Sequence, residues 1–189
     1  MSRLTRLLVL LILLPLGPLL AEPRDYALDT SNSTVEFTYS LGGTPGTGTM
    51  PVVRADLRLD FDRVANSRAV VELDAARSRT NVGFVTQALK SPQVLDTARF
   101  PIIRFVSRRV TALTGGARIT GDVTLRGVTR PLVLDAQIYR QRGTGAGDLS
   151  RLSVLLTGQI RRSDFGASGY SDLVGDVVGL RILARIEAP

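Results

Sequence analysis

Apolar and polar residues alternate along most of this chain. The period of two is cleanest on both sides of a Gly-Val-Thr-Arg-Pro connection at 127–131. Ile119, Val123 and Leu125 precede it on one face, and Leu132, Leu134, Ala136 and Ile138 follow. Such a pattern predicts two antiparallel strands that share one buried face. The same period marks Val35, Phe37 and Tyr39, and then Leu57, Leu59 and Phe61 set against Arg58, Asp60 and Asp62. It continues through Val71, Leu73 and Ala75, through Ile103, Phe105 and Ser107, along 152–160, and finally from Val178 to Ile186. About eight amphipathic strands result.

One segment breaks the rhythm. Val82, Val85 and Leu89 fall three and four residues apart, which predicts a short helix ended by Ser91-Pro92, with Phe84 and Ala88 on a second stripe. A helix of this kind suits the end of a barrel. The glycine-rich stretches at 42–48 and 142–147 read as loops. Antiparallel strands with one apolar face form either a two-sheet sandwich or a closed barrel, and periodicity does not choose between them. Two features lean toward a barrel: the strands are long, and Gly121 and Gly158 sit on inward faces where they permit coiling or leave lumen space.

Arg3 and Arg6 followed by the apolar run Leu7 to Leu20 and the small Ala21 read as an export signal, cleaved near Ala21. The run contains Pro15, Gly17 and Pro18 and falls short of the ~20 residues a membrane-spanning helix needs. Residues 22–189 are then the size of one domain. Loss of Arg3 and Arg6 lowers the net charge from +7 to +5. The basic residues, all arginine but for Lys90, are scattered over outward positions, which argues against nucleic acid as a partner. The chain has no cysteine, so no disulfide framework and no lipidated N-terminal cysteine are expected, and a periplasmic destination fits best.

Histidine is absent as well, which excludes Ser-His-Asp and Cys-His nucleophiles, histidine-ligated zinc and histidine-ligated haem. No metal or cofactor is expected. Asp56, Asp60, Asp62, Glu72 and Asp74 are read as outward carboxylates that pair with arginines across strands. Asp164, in Ser-Asp-Phe-Gly, is read as a turn residue bonded to nearby backbone N–H groups. The Asp-Phe-Gly triplet has no nucleotide loop to accompany it, and the glycines at 42–48 lack the Gly-Lys-Ser/Thr ending of a phosphate loop.

The stretch GDVTLRGVTRPLVLD at 121–135, read with RRSDFG at 161–166, resembles the YceI-like family. The likeness extends to Leu28–Phe37, to Leu89 with Ser91-Pro92, to Asp96 followed by Phe100-Pro101, to Phe105 with Ser107, and to Gly175-Asp176-Val177. It implies an all-β fold, an extended eight-stranded antiparallel lipocalin-like β-barrel with a short helix. It further implies a periplasmic protein that holds a long isoprenoid or similar amphiphilic lipid, of quinone or polyprenyl type, for transport, storage or protection. On that reading Phe37, Tyr39, Leu57, Leu59, Phe61, Phe105, Leu125, Leu134, Leu156 and Leu180 contact the ligand, while Phe84, Leu89 and Phe165 form lid and mouth. Transient contact with a membrane or a membrane protein, and a monomeric or homodimeric state, go with it. This chain has Asn32 and Leu41 where the family usually has histidines, and Val85-Thr86-Gln87-Ala88-Leu89 where the family carries a charged segment, so different head-group contacts are expected. The alternatives are a lipid-modifying enzyme that uses Asp164 at the barrel mouth, and a structural barrel filled by its own side chains.

Overall fold

The computed structural model describes residues 22–141, 143, 145 and 147–189, and the export signal expected at 1–21 lies outside the described residues. Eleven strands and one helix follow in order: β1 (Arg24–Leu28), β2 (Thr34–Leu41), β3 (Thr44–Thr49), β4 (Val52–Leu59), β5 (Arg68–Asp74), β6 (Arg79–Thr80), α1 (Gly83–Lys90), β7 (Ile102–Leu113), β8 (Gly116–Leu125), β9 (Val128–Arg140), β10 (Arg151–Arg161) and β11 (Val177–Glu187). Eight of the strands form a closed antiparallel ring, β1-β4-β5-β7-β8-β9-β10-β11, which returns from β11 to β1. Closure leaves the ring strands no free edge, which is how an all-antiparallel fold avoids edge-to-edge association.

The ring closes at a fork. β11 pairs with β2 over Gly179–Leu183 and with β1 at Ile186 and Glu187, so two strands share one side of it. β1 then bonds to β4 through Tyr26↔Leu57 and Arg24↔Leu59, while β2 carries β3 and the short β6 on its far side. The count of eight agrees with the sequence pattern, but the closing strand is β1, whose five residues bury a single apolar side chain, Tyr26. A further difference is β3. Its sequence, TPGTGT, reads as a loop, yet it pairs residue for residue with β2. Gly48 lies opposite Phe37 and Gly46 opposite Tyr39, and a Cβ on either glycine would overlap the facing ring. The rings lean across the glycines and supply the apolar cover that β3 itself lacks.

The pattern around 127–131 is confirmed with a shift. β8 and β9 close with Leu125 opposite Val128, so the turn is Arg126-Gly127, both at positive φ (53° and 75°). An arginine in that conformation is held from outside: its guanidinium donates to the carbonyls of Gly166 and, at 2.7 Å, of Pro92. Val123, Leu125, Leu132, Leu134 and Ala136 are buried, as the alternation predicts.

RRSDFG has an architectural role too. Arg162, only 7% exposed, donates from Nε to the carbonyl of Gly175 (3.0 Å), from Nη1 to Ala167 and Gly169 (2.5 and 2.7 Å), and from Nη2 to Val174 (2.8 Å). One buried side chain thus gathers the loop that crosses the barrel end between β10 and β11. At the opposite end Tyr26, Leu152 and Ile186 form a separate plug, with Phe61 edge-on to Tyr26 at 5.7 Å.

The outward carboxylates behave as expected in part. Of the five expected to pair across strands, Glu72 does so with Arg104 (3.4 Å), whereas Asp56 meets Arg54 within β4 (3.0 Å) and Asp74 meets Arg77 three residues on (2.7 Å); Asp122–Arg108 (2.6 Å) and Asp135–Arg118 (2.7 Å) also join neighbouring strands. Asp60 is the correction. β4 ends at Leu59, and Asp60 turns inward, 4% exposed, to accept N–H bonds from Arg63 (2.6 Å), Asp62 (3.0 Å) and the Asn66 side chain (3.0 Å).

Replacement of Arg162 by methionine removes its bonds to four carbonyls, of which that of Ala167 is buried and costs about 1–3 kcal/mol when left unpaired. We expect Arg162→Met to lower unfolding free energy by at least about 2 kcal/mol in urea titrations. Hydrogen bonds, chiefly from the Arg63 backbone N–H, hold the Asp60 carboxyl below its ordinary range, as the Ser163 N–H does for Asp176 and the Arg118 guanidinium for Asp135. A depressed folded pKa gives stability that is present above the unfolded value of about 4 and lost as pH falls through the folded one. With no histidine, no side chain titrates ordinarily between about pH 5 and 8. Thermal melts are therefore expected to be level over that window and to fall in acid below about pH 4, and Asp60→Asn to lower the neutral-pH melting temperature and blunt the acid decline.

Candidate ligand-binding site

An elongated cavity of about 310 Å³ runs inside the barrel. Every ring strand but β1 contributes at least two lining side chains, and β1 contributes Leu28. β11 alone lines it from Val178 to Ile186, ~27 Å of strand at the usual rise per residue. The surface presented to the lumen is almost wholly carbon. The polar residues in the wall direct their polar atoms elsewhere: Tyr39 donates to Asn81 Oδ1 (3.2 Å), Thr80 to the Val82 carbonyl (2.7 Å), and Arg162 to its ring of carbonyls. The plug of Tyr26, Leu152 and Ile186 shuts one end. The other is covered by α1, through Val85, Ala88 and Leu89, and by the 167–174 loop, where Tyr170 lines the cavity and is 45% exposed.

Glycines set how much of the lumen is free. Phe37 and Tyr39 lie over Gly48 and Gly46, and the Phe105 ring lies over Gly121 in the same way, so three large rings rest along the wall. Gly158 accommodates Leu134 and the Val133 carbonyl. Glycine here permits close approach rather than unusual torsion, since none of these four has a positive φ.

Of the residues that the sequence nominates, Phe37, Tyr39, Leu57, Leu59, Leu89, Phe105, Leu125, Leu134, Leu156 and Leu180 line the cavity. Three lie elsewhere. Phe61 packs in the plug, beyond the end of β4, because the alternation through ADLRLDFDR outlasts the strand. Phe84 is 67% exposed on the outer face of α1, whose inward stripe is Val85, Ala88 and Leu89. Phe165 is 2% exposed and belongs to the main core cluster rather than to the cavity wall. Sequence reasoning missed Tyr170 and Val174, which stand in a loop without periodicity, and Val85 and Ala88, which the three-and-four spacing signals.

Asp164 is exposed in the short turn Arg162–Phe165, and the carboxylate that caps this turn is Asp176, whose Oδ1 accepts the Ser163 N–H at 2.9 Å. At the family's histidine positions Asn32 donates to Asp29 (2.7 Å) and Leu41 packs against the main core. Among the described residues no group of three or more carboxylates is placed to hold a metal ion.

A closed antiparallel barrel around an apolar cavity is the architecture of a small-molecule binding protein. Residues 26–186 match the model of the YceI-like domain, and the chain belongs to that family. It is 27% identical over 183 residues to a UPF0312 protein of Vibrio parahaemolyticus, covering 92% of this chain and 95% of that one. It is 32% identical over 154 residues to a UPF0312 protein of Pseudomonas syringae pv. tomato, 79% of each. In structure it is similar to Burkholderia cenocepacia BcnA, with a TM-score of 0.75 at 18% identity over 84% of this chain and 99% of that one. It is also similar to the YCEI protein of Campylobacter jejuni, at 0.61 and 22% over 75% and 84%.

Leu156 faces the lumen between Ala136 and Ile182, away from both ends. Leu156→Trp is expected to fill the cavity there, to keep the native circular dichroism spectrum, and to weaken binding of a long-chain ligand at least about tenfold in a fluorescence competition titration.

Proposed function

We propose that this protein is a periplasmic carrier that holds the hydrocarbon part of a long isoprenoid lipid, of quinone or polyprenyl type, inside its barrel. The observation that carries the reading is the cavity: long, single-ended at the plug, and lined almost entirely by carbon. Its volume lies at the lower end of the ~300–1,000 Å³ typical of small-molecule sites, and its length suits a linear chain. Burial of ~40 carbons at ~0.3 kcal/mol per heavy atom supplies ~12 kcal/mol, enough for nanomolar affinity without a charged contact. The apolar residues on α1 at the family's charged segment extend this carbon surface to the covered end. The N-terminal segment supports export, and the absence of cysteine supports a product that is not lipid-anchored through that residue. The reading gives the protein no reaction to catalyse.

The test is mass spectrometry of organic extracts from the mature protein, purified without detergent, beside a control barrel of similar size. A stoichiometric isoprenoid absent from the control is expected. A clean protein that also refuses added quinones and polyprenols would leave the carrier reading without support, and turnover of a bound lipid that is lost in Asp164→Asn would replace it with an enzymatic one.

A further inference from the structure

An amphiphile in this cavity has to put its head group somewhere, and the lumen offers nothing to satisfy one. A polar group buried without a partner costs several kcal/mol, so the head must reach an opening. At the covered end the guanidinium groups of Arg162 and Arg126 are spent on backbone carbonyls; Leu173 (60%) and Tyr170 are exposed there, and the exposed polar side chains of the same loop, Ser168, Ser171 and Asp172, are not part of the cavity lining. The fork in the barrel wall differs. β2 makes no ladder with β4; the last bond on its side is Met50 N–H to the Val35 carbonyl at 3.0 Å, and below it the chain turns the corner at Pro51.

In that gap lies an open surface recess, and Ser33, Val35, Met50 and Val52 line both it and the main cavity. Its remaining lining is Thr30, Thr34, Thr49 and Pro51, with no charged side chain. The hydroxyls of Thr30, Thr34 and Thr49 have no hydrogen-bond partner among the described residues, and Ser33 Oγ accepts the Arg185 N–H (2.9 Å) while its own proton remains free to donate. The charges nearest to these hydroxyls, Glu36 and Arg79 on either side of Thr49 in the ladder, are of opposite sign, and four hydroxyl donors suit the oxygen of a carbonyl or an alcohol.

Resting on the carrier reading, we propose that this fork is a side window of the barrel, that the head group of the bound lipid lies in it, and that it selects an uncharged, hydrogen-bond-accepting head. The chain has no cysteine, so a single introduced thiol is unique. Thr49→Cys and Leu173→Cys report the window and the covered end respectively, and their rates of maleimide labelling are measured with and without geranylgeraniol, with occupancy checked by extraction. The alcohol is expected to slow Thr49→Cys at least about fivefold and to leave Leu173→Cys unchanged, and the wild-type chain to bind geranylgeraniol about tenfold tighter than geranylgeranoic acid at pH 8. Protection of Leu173→Cys alone, of both thiols or of neither, with the alcohol bound, overturns the window. Equal or stronger binding of the acid overturns its selectivity. Failure of the alcohol to bind any form counts against the carrier reading itself and the window with it.

Discussion

The open lumen depends on contacts between aromatic rings and glycine. An eight-stranded barrel is only just wide enough to hold a slender ligand, and its interior fills if each large side chain points to the axis. Here Phe37, Tyr39 and Phe105 lean onto Gly48, Gly46 and Gly121 of the adjacent strands. The same contacts bind β3 into the sheet, for a strand of threonine, proline and glycine has no other apolar cover. Wall and cavity therefore come from one packing arrangement, and the aliphatic residues between the rings form the carbon surface.

Two arginines fix the covered end. Arg126 ties the β8–β9 turn to the segments at Pro92 and Gly166, and Arg162 gathers the loop that follows β10. Each uses directional, charge-assisted bonds to backbone carbonyls, which hold loops in place without adding a polar group to the lumen. The most distinctive sequence segments of the chain thus serve architecture: they frame a cavity whose chemistry lies in its lack of polar atoms. The plug at the far end is closed by Tyr26, Leu152 and Ile186, with the Tyr26 hydroxyl donated to the Leu149 carbonyl, and the proposed head-group site is the hydroxyl-lined fork.

Much of this was legible in the alternation of residues. β7 to β11 are long, with mostly aliphatic inward side chains at alternate positions, and cavity-facing residues such as Leu134 and Leu180 follow directly from the period. The pattern fails where the apolar cover comes from a neighbour, as in β3, or where a strand is too short to show a period, as in β1. It overreaches where alternation continues past the hydrogen-bonded ladder: Asp60 turns in to organise a tight turn, and Phe61 goes to the plug. Phe84 shows a different limit, since on a helix with two apolar stripes only packing decides which one faces the barrel. The fork at β11 leaves no trace in the sequence, because sharing one strand between two partners is a property of closure.

If ring-on-glycine packing holds the lumen open, side chains added to β3 have to close it. Gly46 is the cleanest position, since the three nearest neighbours of a Cβ there are all atoms of the Tyr39 side chain. The decisive measurement is a binding titration of geranylgeraniol to the wild-type chain, Gly46→Ala and Gly46→Val, with folding of each verified by circular dichroism. Graded loss of affinity from wild type through alanine to valine, in folded proteins, is the expected result; wild-type affinity in a folded Gly46→Val would contradict the account.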